Sequence, residues 1–514
     1  MLLRLLKSLS AISVGQFVNI LGNVLLVPLF LSRWSIGLYG EWMALSAVVA
    51  YFSITDLGMN FASANLMTAA YARGDLGRYR YLQGSAMAFY VSMALVASLL
   101  FGVLIMVLPI PFWIGIRLIP ASTAIWVAWL LAARMLWQMP AAQVGSIYRT
   151  FGNLAATQWF GNLQSLGLLA VTLMVLLLHG GVFDLALWGA APMLVVTLIA
   201  WWSLRRSHAE LLPRLSEARR AGVRELLRPS LMFGLIIVSV MLTTQGPVLL
   251  VSGTLGGAAV TLLVITRTPV NVIRQVIGAL AGALWPELTR LDAIGETEAL
   301  RFNHRVLAIG STMLCAAFAG ALWFEGAGVI AVWTRGRLTP DIWLLRLFLI
   351  ALVLQAPWSA AGLFTVTSNR HRNVSYSYAA SAVLTIVAIA VLIRRCGLLA
   401  VPVGILFGDA VACHHFVIKD TCHVLKEDYP RYAVRFWSGF AAVCLAAWGA
   451  AWLGHSIAFG PAPLRWLEVG GLTTIAAVSV AWHVALREND RSRLACWSKV
   501  RWSHFRSGGM QLPV

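Results

Sequence analysis

The sequence predicts an all-α, polytopic membrane protein of about 14 transmembrane helices, arranged as two pseudo-symmetric six-helix lobes plus two C-terminal helices. Three observations carry that prediction. The 514-residue chain is 60% hydrophobic and only 11% charged, with a mean hydropathy of +0.79. Its apolar runs recur at about the 20-residue length that crosses a bilayer. The second observation is a faint internal copy: Arg117-Leu118-Ile119-Pro120 returns as Arg337-Leu338-Thr339-Pro340, 220 residues later. Pro28 and Pro247, Gln138-Met139-Pro140 and Gln355-Ala356-Pro357, and Asn153 and Asn373 keep nearly the same spacing. The third is an alternation of Lys- and Arg-rich loops with loops that are poor in both.

Hydropathy bounded by turn residues and charges places spans near 11–32, 40–67, 82–108, 122–147, 154–178, 184–204, 230–252, 256–285, 304–324, 342–367, 374–393, 398–418, 434–453 and 465–486. The first run follows Arg4 and Lys7 as a signal sequence would. It continues to about Leu31, too long for a short h-region, and has no small-residue cleavage site, so it reads as an uncleaved first span. The first six spans map onto the second six at the repeat spacing. This divides the chain into an N-lobe (1–204), a basic cytoplasmic linker (205–229), a C-lobe (230–425), two added helices (426–486) and a basic cytoplasmic tail (487–514). Parallel repeats of an even number of spans are a carrier architecture, with substrate handled where the repeats meet.

Positively charged loops stay in the cytoplasm. Of the 39 Lys and Arg residues, 28 lie in one alternating set of loops and termini and seven in the other: Arg33, Arg117, Arg335, Arg337, Arg394, Arg395 and Arg465. Both termini are therefore expected in the cytoplasm, and the net charge of +19 is chiefly a topology signal. Nucleic-acid binding, the other common meaning of a basic chain, is set aside because no basic extramembrane domain with interleaved aromatics is present. The linker holds Arg205, Arg206, Arg214, Arg219, Arg220, Arg224 and Arg228 and reads as a surface helix on anionic lipid. The tail from Arg487, with Trp497, Trp502 and Phe505, reads the same way. Six scattered cysteines argue against a disulfide framework.

Ionisable groups inside spans are costly and face protein or water. In the eighth span Arg267, Asn271 and Arg274 share one helical face with Gln275 beside them, and Arg134 and Arg346 add two more cations. A structural ion pair is the alternative for Arg134 and Arg267, and snorkelling to the interface for Arg346. Gln16, Asn19 and Asn23 share a face of the first span, as cavity lining or as interhelical hydrogen bonds. Ser53, Asp56 and Asn60 share one in the second. Asp56 maps onto Arg274 through the repeat, which suggests a charge pair across the lobe interface that holds a gate; ion coupling is the other role open to Asp56. Asp409 is a second candidate for ion coupling. Cys413 and His414-His415 stand about 12 Å along one helix from Cys422-His423, too far for one tetrahedral ion, so no metal is expected. Prolines 28, 140, 247, 269 and 357 are expected to kink their helices.

Val27-Pro28-Leu29-Phe30, Gly37-Leu38-Tyr39-Gly40, Trp42, and Asp56-Leu57-Gly58 followed by Ala62 and Asn65 resemble the O-antigen type of polysaccharide flippase in the multidrug/oligosaccharidyl-lipid/polysaccharide (MOP) exporter superfamily. The likeness extends over the whole chain in span count and repeat layout. It implies a bacterial inner-membrane protein of two six-helix lobes around a cationic cavity. It further implies a lipid-linked oligosaccharide as substrate, carried on undecaprenyl pyrophosphate, and the glycosyltransferases and polymerase of a polysaccharide assembly system as partners. Arg suits such a substrate because its planar fork matches phosphate oxygens. No Walker-type nucleotide loop occurs, and no cofactor is expected. A cation-coupled multidrug exporter of the same superfamily would share the fold but favour acidic groups in its cavity. A membrane polysaccharide polymerase or ligase would need a larger external loop than the roughly 20 residues available.

Overall fold

The computed structural model describes residues 2–494 apart from 57, 152, 369 and 459–460; the side chains of residues 2–13, 23 and 228–229, among others, are also outside the description. The tail residues Trp497, Trp502 and Phe505 and the side chain of Asn23 therefore lie outside the described residues. Every described element is helical, with no strand among them. The chain begins with α1 (Leu2–Arg33), α2 (Ile36–Ala50), a 3-10 stretch (Tyr51–Asp56), α3 (Met59–Ala72), α4 (Leu76–Val107), α5 (Ile110–Trp113) and α6 (Ala121–Thr150). It continues through α7 (Leu154–Leu177), α8 (Val182–Trp188), α9 (Ala191–Ser207), α10 (Arg220–Leu255), α11 (Gly257–Ala293) and α12 (Thr297–Trp333). The rest is α13 (Ile342–Thr367), α14 (Arg372–Cys396), α15 (Ala400–Ala412), α16 (His414–Val424), α17 (Tyr429–Ile457) and α18 (Ala462–Val480), followed by a π turn at Ala481–Ala485.

All fourteen expected spans fall on helix, and eleven helical stretches among the described residues are long and apolar enough to cross a membrane. This is a multi-pass membrane protein. Three spans expected as single helices are interrupted. The second breaks at the 3-10 turn, where Gly58 adopts φ 73°, a conformation that costs glycine nothing, and where a Cβ would press on Phe233 of α10 at 2.8 Å. The sixth breaks at Gly189, just before Pro192 in the first turn of α9. The twelfth breaks at Cys413. The prolines at 28, 140, 247, 269 and 357 all sit within continuous helices.

The linker departs from the single surface helix expected of it. After Ser207 it makes two short 3-10 turns, Ala209–Leu211 and Leu215–Glu217, around Pro213, and from Arg220 it is already the first turn of α10. The turns are strapped across the start of α4. The Tyr79 hydroxyl donates to the Leu211 carbonyl at 3.0 Å, the Arg219 amide donates to Ser85 Oγ at 3.1 Å, and Arg78 pairs with Glu225. These contacts engage backbone groups and Glu225, while the side chains of Arg205, Arg206, Arg214, Arg219, Arg220 and Arg224 stay exposed.

By contacts the chain forms two compact units, one of Met1–Ala279, Trp333–Pro340 and Ser375–Ala412, the other of Leu280–Val332, Asp341–Val374 and Cys413–Val514. In the first, a buried cluster gathers Tyr79, Tyr90, Leu82 and Met59 from α3 and α4 with Ile147 of α6 and Leu204 of α9. In the second, Leu288, Leu300, Phe364 and Leu425 pack together near the ends of α11, α12, α13 and α16.

Candidate functional site

The polar residues of the first unit gather on α11 and its neighbours. Spacings of four and three place Arg267, Asn271 and Arg274 on one face of α11. Arg267 is 9% exposed, and its Nη1 donates to the Thr244 carbonyl of α10 at 3.0 Å. That bond lies one residue from Thr243, whose carbonyl loses its helical partner to Pro247. Arg267 and Arg274 are electrostatic neighbours of each other, and Asp409 of α15 is the acidic neighbour of Arg274. Asp409 is 7% exposed and accepts from Ser381 Oγ of α14 at 2.8 Å. The structure thus brings Arg267, Arg274 and Asp409 into one constellation, with the half-buried Asn271 on the same face.

Other expected residues have separate surroundings. Asp56 accepts from the Tyr90 hydroxyl at 2.6 Å and from the Asn60 backbone amide, so it holds the break between the 3-10 turn and α3. Arg134 Nη1 donates to the Gly189 carbonyl at 3.3 Å, where α8 ends. On α1, Gln16 is half-buried and Asn19 exposed. In the second unit, Arg346 lies between the rings of Trp323 and Trp343, 5.2 and 5.3 Å from their centroids, a pairing worth about 0.5–1 kcal/mol or more at such a site.

The Cys and His residues considered for metal have other occupations. His414 Nε2 lies 3.0 Å from the Leu354 carbonyl, His415 Nδ1 lies 2.8 Å from the Tyr429 hydroxyl, and Cys422 is buried. Among the described residues no group of three or more His, Cys, Asp or Glu could hold a metal ion.

Besides Asp490, two buried carboxylates among the described residues were not singled out from sequence. Glu41, in the second turn of α2, is 2% exposed. It accepts three backbone amides, from Arg117 and Leu118 at 2.8 Å and from Ile119 at 2.9 Å. Around it, residues from the first and second copies of the repeat meet at the end poor in Lys and Arg. A Cβ on Gly40 would overlap the Gly257 carbonyl of α11. Thr261 Oγ1 donates to the Ile36 carbonyl at 2.6 Å, and Ser252 donates to the Ile114 carbonyl. Trp333 Nε1 donates to the Val24 carbonyl at 2.7 Å, and Arg337 to the Leu31 carbonyl. The signal in the sequence was an acid one residue beyond Gly37-Leu38-Tyr39-Gly40 at a span's edge. The other carboxylate, Glu325 of α12, is 1% exposed and lies 2.5 Å from His455 Nδ1 and 2.9 Å from Arg465 Nη2. It ties α17 and α18 to α12.

No protein-family model matches the sequence, and no curated protein does. Solved structures do. The chain is similar to the lipid II flippase MurJ in an inward closed conformation, with a TM-score of 0.69 and 10% identity over 95% of this chain and 100% of that one. The fold is that of the MOP transporters. A multidrug resistance MATE family transporter in an inward-facing conformation matches with a TM-score of 0.63 and 16% identity, over 79% of this chain and 98% of that one. A MOP superfamily transporter from Pyrococcus furiosus, described as having a binding pocket of reversed polarity, matches with a TM-score of 0.56 and 15% identity, over 82% and 95%. At such identities the MOP likeness is one of architecture.

Proposed function

We propose that this chain is a flippase, not an enzyme, which carries an undecaprenyl-pyrophosphate-linked oligosaccharide across the bacterial inner membrane by alternating access. The observation that carries this reading is the pair Arg267 and Arg274 on one buried helix face, with Asp409 as their acidic neighbour. Two guanidinium groups on one helix face at membrane depth suit an anionic headgroup, and their planar fork matches the oxygens of a pyrophosphate. The MurJ neighbour is itself described as a flippase of a lipid.

In this reading residues 1–204 and 230–425 are the moving lobes, both termini are cytoplasmic, and the Gly40–Gly257 approach closes the outer end. The substrate enters from the cytoplasmic side, its headgroup reaches Arg267 and Arg274, and its lipid tail stays in the bilayer. Asn271, Gln16, Asn19 and Asn23 would offer hydrogen bonds to sugar hydroxyls, and Arg134 would add charge. Asp409 and Asp56 are the groups through which an ion could be coupled. Asp409 also supports a second reading, a cation-coupled drug exporter, which needs a buried acid of this kind.

The test is flipping of a labelled undecaprenyl-pyrophosphate oligosaccharide in proteoliposomes. Protein-dependent flipping should fall at least tenfold in Arg267→Ala and Arg274→Ala variants that remain folded. Absence of flipping with every glycan tried, alongside proton- or sodium-linked uptake of organic cations, would favour the exporter.

A further inference from the structure

At the Lys- and Arg-rich end of the second unit, a polar cavity of about 190 Å³ opens beside the turn between α16 and α17. Its carboxylates are already engaged. Glu298 lies 2.5 Å from Arg301, Asp428 lies 3.2 Å from Arg431, and Glu427 lies 3.2 and 3.5 Å from Arg305 and Arg487. Beside this cavity Asp490, 1% exposed, accepts from Arg305 Nε and Nη2 at 2.9 Å each. Lys426, held at φ 53° by the end of α16, is left on the rim with no carboxylate in ion-pair range among the described residues.

A second cavity shares Arg305, Tyr432 and Arg487 with the first; its other walls are the apolar Ile309, Phe436, Ala485 and Leu486 together with Asp490, whose carboxylate is taken up by Arg305. The exposed Arg435 stands at its edge, also without a carboxylate partner among the described residues. A polar chamber with cations to spare thus adjoins one whose remaining walls are largely apolar. A soluble anion would use only the first chamber.

We infer that this composite cavity binds an anionic glycerophospholipid, its phosphate at Lys426, Arg435 and Arg487 and the start of an acyl chain against Ile309, Phe436 and Leu486. Basic pockets between helix ends at the cytoplasmic face suit such headgroups. The site is separate from the α11 constellation and owes nothing to the flippase reading.

The test is native mass spectrometry of the full chain released from dodecyl maltoside micelles doped with phosphatidylglycerol or phosphatidylcholine, with inorganic phosphate as a competitor. Phosphatidylglycerol should be retained in preference to phosphatidylcholine. Lys426→Gln/Arg435→Gln should weaken its retention about 30-fold, at about fivefold per removed cation. Both side chains are exposed and hold no ion pair, so the fold should survive. Arg394→Gln/Arg395→Gln, in the last turn of α14, serves as the matched loss of charge and should leave retention unchanged. Equal retention of the two lipids, an equal loss in both double variants, or complete displacement by millimolar inorganic phosphate would overturn the assignment.

Discussion

Replacing Glu41 with Ala tests the closure at the Lys- and Arg-poor end most directly. The carboxylate accepts amides from Arg117, Leu118 and Ile119 at 2.8–2.9 Å while 2% exposed. A hydrogen bond to a charged acceptor contributes about 1.5–3 kcal/mol. Loss of that protection corresponds to roughly a ten- to hundredfold rise in opening at each amide, at about 1.4 kcal/mol per factor of ten. Hydrogen–deuterium exchange read by mass spectrometry, with peptides covering 114–121, reports this opening. In Glu41→Ala those amides should exchange at least tenfold faster than in wild type, while peptides from α17 keep their protection. Glu41→Gln should fall between, because its amide oxygen accepts from one side and its NH2 group faces the remaining N–H. Unchanged protection of 117–119 in Glu41→Ala would refute the assignment of this carboxylate as their acceptor.

Three further outcomes are expected. Gly40→Leu places a side chain where the Gly257 carbonyl stands, so a cysteine at Thr261 should label with a maleimide several-fold faster in that background; unchanged labelling would mean that α2 and α11 separate at no cost. Removing His455 and Arg465 together strands the 1% exposed Glu325 and should cost about 3–5 kcal/mol, whereas Glu325→Gln leaves a histidine and an arginine that reach water and should cost less; thermal unfolding of the purified protein ranks the two. Burial raises the Glu427 carboxyl, but His304, Arg305 and Arg487 outweigh burial and hold it below the ordinary 4.5. Its contribution is therefore complete above about pH 4.5 and is lost as pH falls through the lower folded value, so the drop in melting temperature between pH 6 and pH 3.5 should be smaller in Glu427→Gln than in wild type.

The positions of the spans were legible because hydropathy and loop charge are local quantities. All fourteen expected segments fall on helix; the eleven long apolar stretches cover twelve of them, since Arg372–Val424 takes in two, and α2–α3 and α6 are the remaining two. The interruptions were less legible. Gly58 turns where α10 presses close, and Gly189 ends α8 where Arg134 can reach its carbonyl, and both are facts of packing. Arg267, Arg274 and Asp409 were each visible as ions in apolar surroundings, but only the fold shows Asp409 within electrostatic reach of Arg274 while Asp56 accepts from Tyr90. The linker's run of arginines matches a single surface helix, whereas Ser85, Tyr79 and Arg78 of α4 take hold of its backbone and of Glu225 and two short 3-10 turns result. Glu41 escaped notice because a single acid at a span's edge resembles ordinary interfacial polarity until its three amide donors are known.

The four residues from Arg117 to Pro120 and their counterpart from Arg337 to Pro340 began alike and now work by different chemistry. The first offers its backbone amides to a carboxylate; the second reaches out with a guanidinium to the Leu31 carbonyl of α1. The first contact stays inside its own copy, because Glu41 and residues 117–119 both precede residue 204, whereas the second crosses from one copy to the other. The same four-residue motif therefore serves the internal order of one copy and the mutual hold of the pair.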